Sequence, residues 1–190
     1  VISFSMDSTT ATLIGAIVVM VIFSAYFSAT ETAFSSLNKI RLRSKAEAGD
    51  SRAALTLSIA DEYDRMLSTI LIGNNIVNIT ASTLGTVLFT RLFDAYGPTI
   101  STVVLTVVVL IFGEISPKSI AKESPERFAM WASPLLRVLL VILRPLNFLF
   151  SQWKRLLSHI IRPADGEGIT EDELITMVSE AENEGGLDQH

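Results

Sequence analysis

The chain contains no cysteine and only two histidines, His159 and His190. The first absence excludes a disulfide scaffold, a zinc–thiolate site and a thiol nucleophile, while leaving the compartment open. Neither histidine falls within a long apolar run, and no Ser/His or paired-Asp arrangement occurs there, so an intramembrane enzyme is not expected. Charge is the second scarcity. It is missing throughout 8–30, 66–90 and 95–113, where apolar residues dominate. Basic charge is missing from 170–190, a stretch rich in Asp and Glu. The formal net charge of −5 therefore averages over segregated regions and predicts no partner.

What is present is hydrophobic, 49% of the residues. A helix that crosses a bilayer needs roughly 20 mostly apolar residues. Each of the three charge-free runs meets that length, and three such runs within 190 residues exceed what one soluble core would bury. The first is not a cleaved signal peptide, because Asp7 rather than Lys or Arg flanks it and its apolar run is too long. Orientation follows from Lys and Arg. Lys39, Arg41, Arg43, Lys45, Arg52 and Arg65 lie between the first two runs, only Arg91 lies between the second and third, and the rest follow residue 113. The positive-inside rule predicts the N-terminus outside, 31–65 inside, 91–98 outside and the C-terminus cytoplasmic, in the plasma membrane. The run KIRLRSK at 39–45 reads as a topology determinant beside headgroups, and no nucleic-acid partner is expected.

The stretch 128–153 is apolar but interrupted by Arg137, Arg144, Pro134 and Pro145, with Trp131 and Trp153 suited to an interface. Arginine at a bilayer centre costs about 2.5–3.5 kcal/mol on insertion scales, so an in-plane juxtamembrane helix or helix pair is predicted, with a fourth crossing as the alternative. After Gly168, Thr170 and Glu173 form a capping box, and Leu174, Val178 and Ala181 recur at helical spacing. The fold class predicted is an all-α membrane protein. It has a three-span core over 1–127, juxtamembrane helices over 128–165, and the start of an acidic cytoplasmic helical bundle over 166–190.

Polar groups inside the apolar runs are the places to look for function. Ser24, Ser28 and Glu31 share one helical face at i, i+4 and i+7. Asn74 and Asn78 lie at i and i+4 within GNNIVN, Asn75 stands between them, and Ser82 continues the stripe. Packing supplies the competing explanation: small serines for close helix approach, and asparagines as interhelical hydrogen-bond partners. The third run ends FGEISPK, where Glu114 could simply pair with Lys118 at i+4. Pro117, however, lacks an N–H, so the Gly113 carbonyl loses its helical donor and a kink is expected. That carbonyl and the Glu114 carboxylate, with Asn74, Asn78 and Ser28, make an all-oxygen set carrying one full negative charge. Such a set suits a hard cation, Mg²⁺ above all, or Na⁺. One carboxylate against a divalent ion favours weak, releasable binding.

Three signatures, FSATETAFSS at 27–36, LIGNNIVN at 71–78 and LIFGEISPKSIA at 110–121, together resemble the CNNM/CorC family, the cyclin M-like magnesium transporters. The basic segment RLRSKAEAGD after the first strengthens the likeness, which covers most of residues 10–160. The resemblance implies a homodimer, each subunit with three spans, a juxtamembrane belt and an inward-facing cavity. Small residues such as Gly85 and Ala81 would permit close helix approach. It implies Mg²⁺ export, with the divalent cation held by Ser28, Asn74, Asn78, the Gly113 carbonyl and Glu114, and with Na⁺ entry as a candidate coupling. It also implies that this chain belongs to a longer protein whose CBS-domain pair, absent here, binds Mg-ATP. The alternative is a Mg²⁺-sensing membrane regulator that controls another transporter.

Overall fold

The computed structural model describes residues 7–160, so the acidic stretch with its Thr170–Glu173 capping box lies outside the described residues. All regular elements among the described residues are helical. Residues up to Asn147 form one compact unit; the second unit begins at Phe148.

The long apolar helix α1 spans Ser8–Ser35. Two short polar helices follow, α2 at Lys39–Glu47 and α3 at Ser51–Asp61. Their ends are written in the sequence. Asn38 caps α2 by accepting from the Arg41 N–H at 3.0 Å, and Asp50 caps α3 by accepting from the Arg52 and Ala53 N–H groups. Between the two, Gly49 takes φ 96, the left-handed position that terminates α2 and lets α3 start at once. Leu42, Ala53 and Thr56 are fully buried as a result.

Among the described residues two single helical stretches are long and apolar enough to cross a bilayer, Ser8–Ser35 and the 61-residue Tyr63–Glu123, and Pro125–Ile142 with Arg144–Trp153 is so only as a pair bent by 69°, which leaves the fourth crossing open as the alternative. The second is α4 (Tyr63–Phe93), a short 3₁₀ turn, α5 (Gly97–Val108), a π-helical segment (Val109–Ile115) and α6 (Ser116–Glu123). It doubles back at Asp94, whose φ of 49 and ψ of −123 reverse the chain. Gly97 then lies against the Thr90 backbone, and Gly85 against Leu105 and Ser101. Gly85 and the buried Ala81 are thus consumed by packing within this chain, so the small residues expected to serve a dimer do a different job.

Helices α1 and α4 run antiparallel. Arg91 pairs with Asp7 at 3.4 Å at one end, and Ser35 meets Tyr63 at 3.4 Å at the other. The 28 residues of α1 extend roughly 42 Å, longer than the ~30 Å hydrocarbon layer. Phe27 packs directly onto Gly73, where any Cβ would meet its ring.

The interrupted stretch at 128–153 becomes two helices, α7 (Pro125–Ile142) and α8 (Arg144–Ile160), broken at Leu143. Helix α7 buries Ala129, Ala132, Ser133, Leu136 and Leu140. The Tyr26 hydroxyl donates to the Ala132 carbonyl at 2.8 Å, and Thr56 and Ser133 share a 2.7 Å hydrogen bond, fixing α7 to α1 and α3. Asn147 donates to Thr69 at 2.7 Å and ties the head of α8 to α4. The described part of the second unit continues α8 and exposes Phe148, Leu149, Phe150 and Trp153.

Candidate cation site

Ser24, Asn74 and Gly113 meet where α1, α4 and the π segment cross. Ser24 is completely buried, and its Oγ donates to Asn74 Oδ1 at 3.3 Å. Gly113 approaches from the third side: a Cβ built there would lie 2.9 Å from Ser24 Oγ. The absence of a side chain at 113 is what lets the π segment lie against α1. Asn74 is therefore an interhelical hydrogen-bond partner, as the packing alternative holds, and it is also at the centre of the polar cluster.

Ser28 and Asn78 are different. Ser28 Oγ and Asn78 Oδ1 are buried and have no hydrogen-bond partner among the described residues. An unsatisfied buried polar atom costs about 1–3 kcal/mol, so two of them beside a crossing point are candidates for contact with a ligand; Ser101 Oγ, by Gly85, is in the same condition. Because α1 and α4 are antiparallel, Ser28 lies one turn towards the Tyr63 end and Asn78 one turn towards the Asp94 end of the Ser24–Asn74 level. From Asn78 a cleft of about 250 Å³ runs between α4 and α5, lined by Ser82, Thr102 and Thr106 with Leu105 and Val109. Ser82 thus continues the Asn74–Asn78 stripe.

Glu114 is half-buried and makes no ion pair among the described residues. Lys118 pairs instead with Glu31 across the helix boundary, at 3.5 Å. The Glu114–Lys118 pair is corrected by this geometry: Lys118 is directed to α1. Asn75 is exposed and donates its amide to the Leu71 carbonyl of its own helix, so it does not join the cluster.

The kink expected at Pro117 takes another form. Residues 109–115 adopt π-helical geometry, and the Ser116 N–H bonds to the Ile111 carbonyl, five residues back. Pro117 occupies the first turn of α6, where a missing N–H is tolerated. The π segment was not legible from Pro117 alone. Single-turn π insertions concentrate at functional sites, and this one holds both Gly113 and Glu114. No group of three or more His, Asp or Glu that could hold a metal ion occurs among the described residues, so any cation here would meet hydroxyl, amide and carbonyl oxygens and one carboxylate.

The profile of the cyclin M transmembrane N-terminal domain matches residues 15–190. The chain belongs to the CNNM family. This CNNM chain is 38% identical over 183 residues to a UPF0053 protein of Haemophilus influenzae, covering 95% of the chain and 44% of the relative. It is 39% identical over 165 residues to the UPF0053 inner membrane protein YfjD of Escherichia coli, covering 85% and 39%. A more distant relative, 26% identical over 187 residues and covering 90% and 43%, is the polyamine export protein of Haemophilus influenzae. The CNNM chain spans less than half the length of each of these relatives. It is a membrane protein whose apolar helices contact lipid.

Proposed function

We propose that the chain is the membrane part of a transporter that exports Mg²⁺ through the Ser24–Asn74–Gly113 crossing. The observation that carries this reading is the pair of orphaned buried oxygens, Ser28 Oγ and Asn78 Oδ1, on either side of that crossing and near a carboxylate with no ion pair. Ser28 and Asn78 stand roughly two turns apart, about 11 Å along the bundle. An ion with Mg–O distances of about 2.1 Å does not bridge that span bare, but Mg²⁺ dehydrates reluctantly and keeps several waters. A partly hydrated ion handed from one orphan to the next, with Glu114 balancing charge midway, fits the spacing. In this reading the chain crosses the cell membrane three times, as α1, α4 and α5 with the π segment, and the Lys39–Lys45 end faces the cytoplasm. Two copies form a homodimer, and Na⁺ entry is the candidate driving ion. The regulatory alternative needs the same site and differs only in flux.

A second reading is favoured by one observation, the relative named as a polyamine exporter. Ammonium groups donate hydrogen bonds to the same oxygens that would ligate a metal. Reconstituted into liposomes loaded with a Mg²⁺-sensitive dye, the chain should move Mg²⁺, and Glu114→Gln should abolish the signal. Spermidine flux with no Mg²⁺ flux would transfer the assignment to polyamines. Mg²⁺ binding without flux of either cargo would make the protein a sensor.

A further inference from the structure

At the Tyr63 end of the bundle a cleft of about 190 Å³ is enclosed by the end of α3, the start of α4, α7 and the head of α8. Its polar lining is three arginines, Arg65, Arg137 and Arg144, and one carboxylate, Glu62. Glu62 is committed to Arg65 at 2.7 Å. Neither Arg137 nor Arg144 takes part in an ion pair among the described residues: Asp61 is held by Lys39, and Glu126 by Arg41. Two guanidinium groups with no ion pair among the described residues therefore line one small space, where an anion would relieve their repulsion. Planar guanidinium forks match phosphate oxygens in pairs.

The surroundings distinguish between anions. Arg137 and Val141 lie at i and i+4 along α7, Arg144 opens α8 just past the break at Leu143, and Val138, Val141 and Ile142 are more than half exposed. A small inorganic anion gains nothing from that apolar rim, whereas acyl chains lie along it. Tyr63 and Trp131 are exposed and of the residue types enriched at a membrane–water interface, and Tyr63 opens the long apolar helix α4. Basic pockets between membrane helices are established headgroup sites. We infer that this cleft binds an anionic glycerophospholipid, with its phosphate between Arg137 and Arg144 and its chains along α7. The inference does not depend on the transported ion.

The test is native mass spectrometry of the full chain in mild detergent, with dioleoylphosphatidylglycerol or dioleoylphosphatidylcholine added. Phosphatidylglycerol adducts should persist and phosphatidylcholine adducts should not. The double change Arg137→Gln, Arg144→Gln should weaken phosphatidylglycerol binding at least about tenfold, the scale of losing charge-assisted hydrogen bonds. Arg43→Gln, on exposed α2, should leave it unchanged and so separates the cleft from general basic charge. If the double glutamine chain does not fold, Arg137→Lys with Arg144→Lys keeps the charge and loses the forks; it should bind more weakly than the parent at an unaltered melting temperature. Equal binding of both lipids, parent-like binding by the Arg137/Arg144 variants, or an equal loss in Arg43→Gln would overturn the assignment. Millimolar inorganic phosphate should not displace the lipid; displacement would make the site one for free phosphate. Failure of any lipid to bind until salt releases the acidic 170–190 stretch would assign the cleft to that segment instead.

Discussion

Lys118 Nζ lies 3.5 Å from Glu31 Oε2, and this one contact separates two uses of Glu114. With its i+4 lysine turned to α1, Glu114 has no ion pair among the described residues. A carboxylate half-buried in an apolar bundle without a cationic partner is expensive unless a cation visits it.

Glu114→Gln should therefore cut Mg²⁺ binding by well over tenfold while the fold persists, since shape and hydrogen-bonding capacity are kept. Lys118→Met should not mimic it. Removing Lys118 takes the ion pair from Glu31 and touches no proposed ligand, so Mg²⁺ affinity should stay within about threefold, as for a partly exposed ion pair away from the ligands. Calorimetric titration of both variants ranks them. Equal losses would return Glu114 to a purely structural role.

Gly113→Ala probes the crossing itself. The added methyl would sit 2.9 Å from Ser24 Oγ and 3.3 Å from Ser24 Cβ, so α1 and the π segment must separate. Overpacking of this kind costs typically about 1–3 kcal/mol. The melting temperature in detergent should fall and Mg²⁺ binding should weaken together, although every proposed side-chain ligand remains. Gly113→Ala with parent affinity would show that the crossing does not shape the site.

Much of this was legible in the residues. The charge-free runs announced α1, α4 and the helix after Gly97, because a bilayer-length apolar segment has few other uses. Over 128–153 the break falls at Leu143, just ahead of Arg144 and Pro145, whereas Pro134 and Arg137 are carried inside α7. Periodicity also placed Ser24 with Ser28, and Asn74 with Asn78, on shared faces. What periodicity could not supply was the partner across the gap. Lys118 reaches Glu31 or Glu114 equally well in sequence, and only the packing of α6 on α1 decides. Gly85 looked free for a second subunit until the reversal at Asp94 brought Leu105 onto it. The π segment depends on the same tertiary fit, since local sequence favours an α-helix just as well.

Asp94 is the only residue other than glycine with positive φ among the described residues. Its φ of 49 with ψ of −123 is a conformation glycine adopts without penalty, and a side chain there costs of order 1–3 kcal/mol. Asp94→Gly should raise the melting temperature in detergent, reduced somewhat by the greater freedom of glycine when unfolded. A fall would mean that the aspartate side chain compensates its backbone.

The orientation inferred from Lys and Arg can be read chemically, because the chain has no cysteine to remove first. Single cysteines at Ser8 and Asp94 should react with an impermeant maleimide added to intact cells. Cysteines at Ser51 and Gly166 should react only after lysis. Asp7 and Arg91 meet in the fold, so Ser8 and Asp94 must report the same side. Labelling of Gly166 from outside would mean that α7 and α8 cross the membrane and that the three-span reading fails.

Pro117→Ala discriminates most sharply, because it alters no proposed side-chain ligand. Proline at 117 withholds the N–H that an α-helical register would offer to the Gly113 carbonyl, and the segment before it runs as a π-helix instead. Alanine restores that donor. The helix from Gly97 to Glu123 can then close into continuous α geometry, which draws the Gly113 carbonyl back into the ladder and rotates Glu114 relative to Ser24 and Asn74. The apo protein should be as stable as the parent or slightly more so, since Pro117 is tolerated in the first turn of α6 but would be disfavoured once the helix closes through it. Mg²⁺ affinity should nevertheless fall roughly tenfold, the equivalent of about 1.4 kcal/mol and of one lost oxygen contact. Stability and binding therefore move in opposite directions, unlike Gly113→Ala, where both decline. A Pro117→Ala protein that binds Mg²⁺ like the parent would show that the π segment is a packing accommodation, and the ion site would then rest on the side chains of α1 and α4 with Glu114 alone.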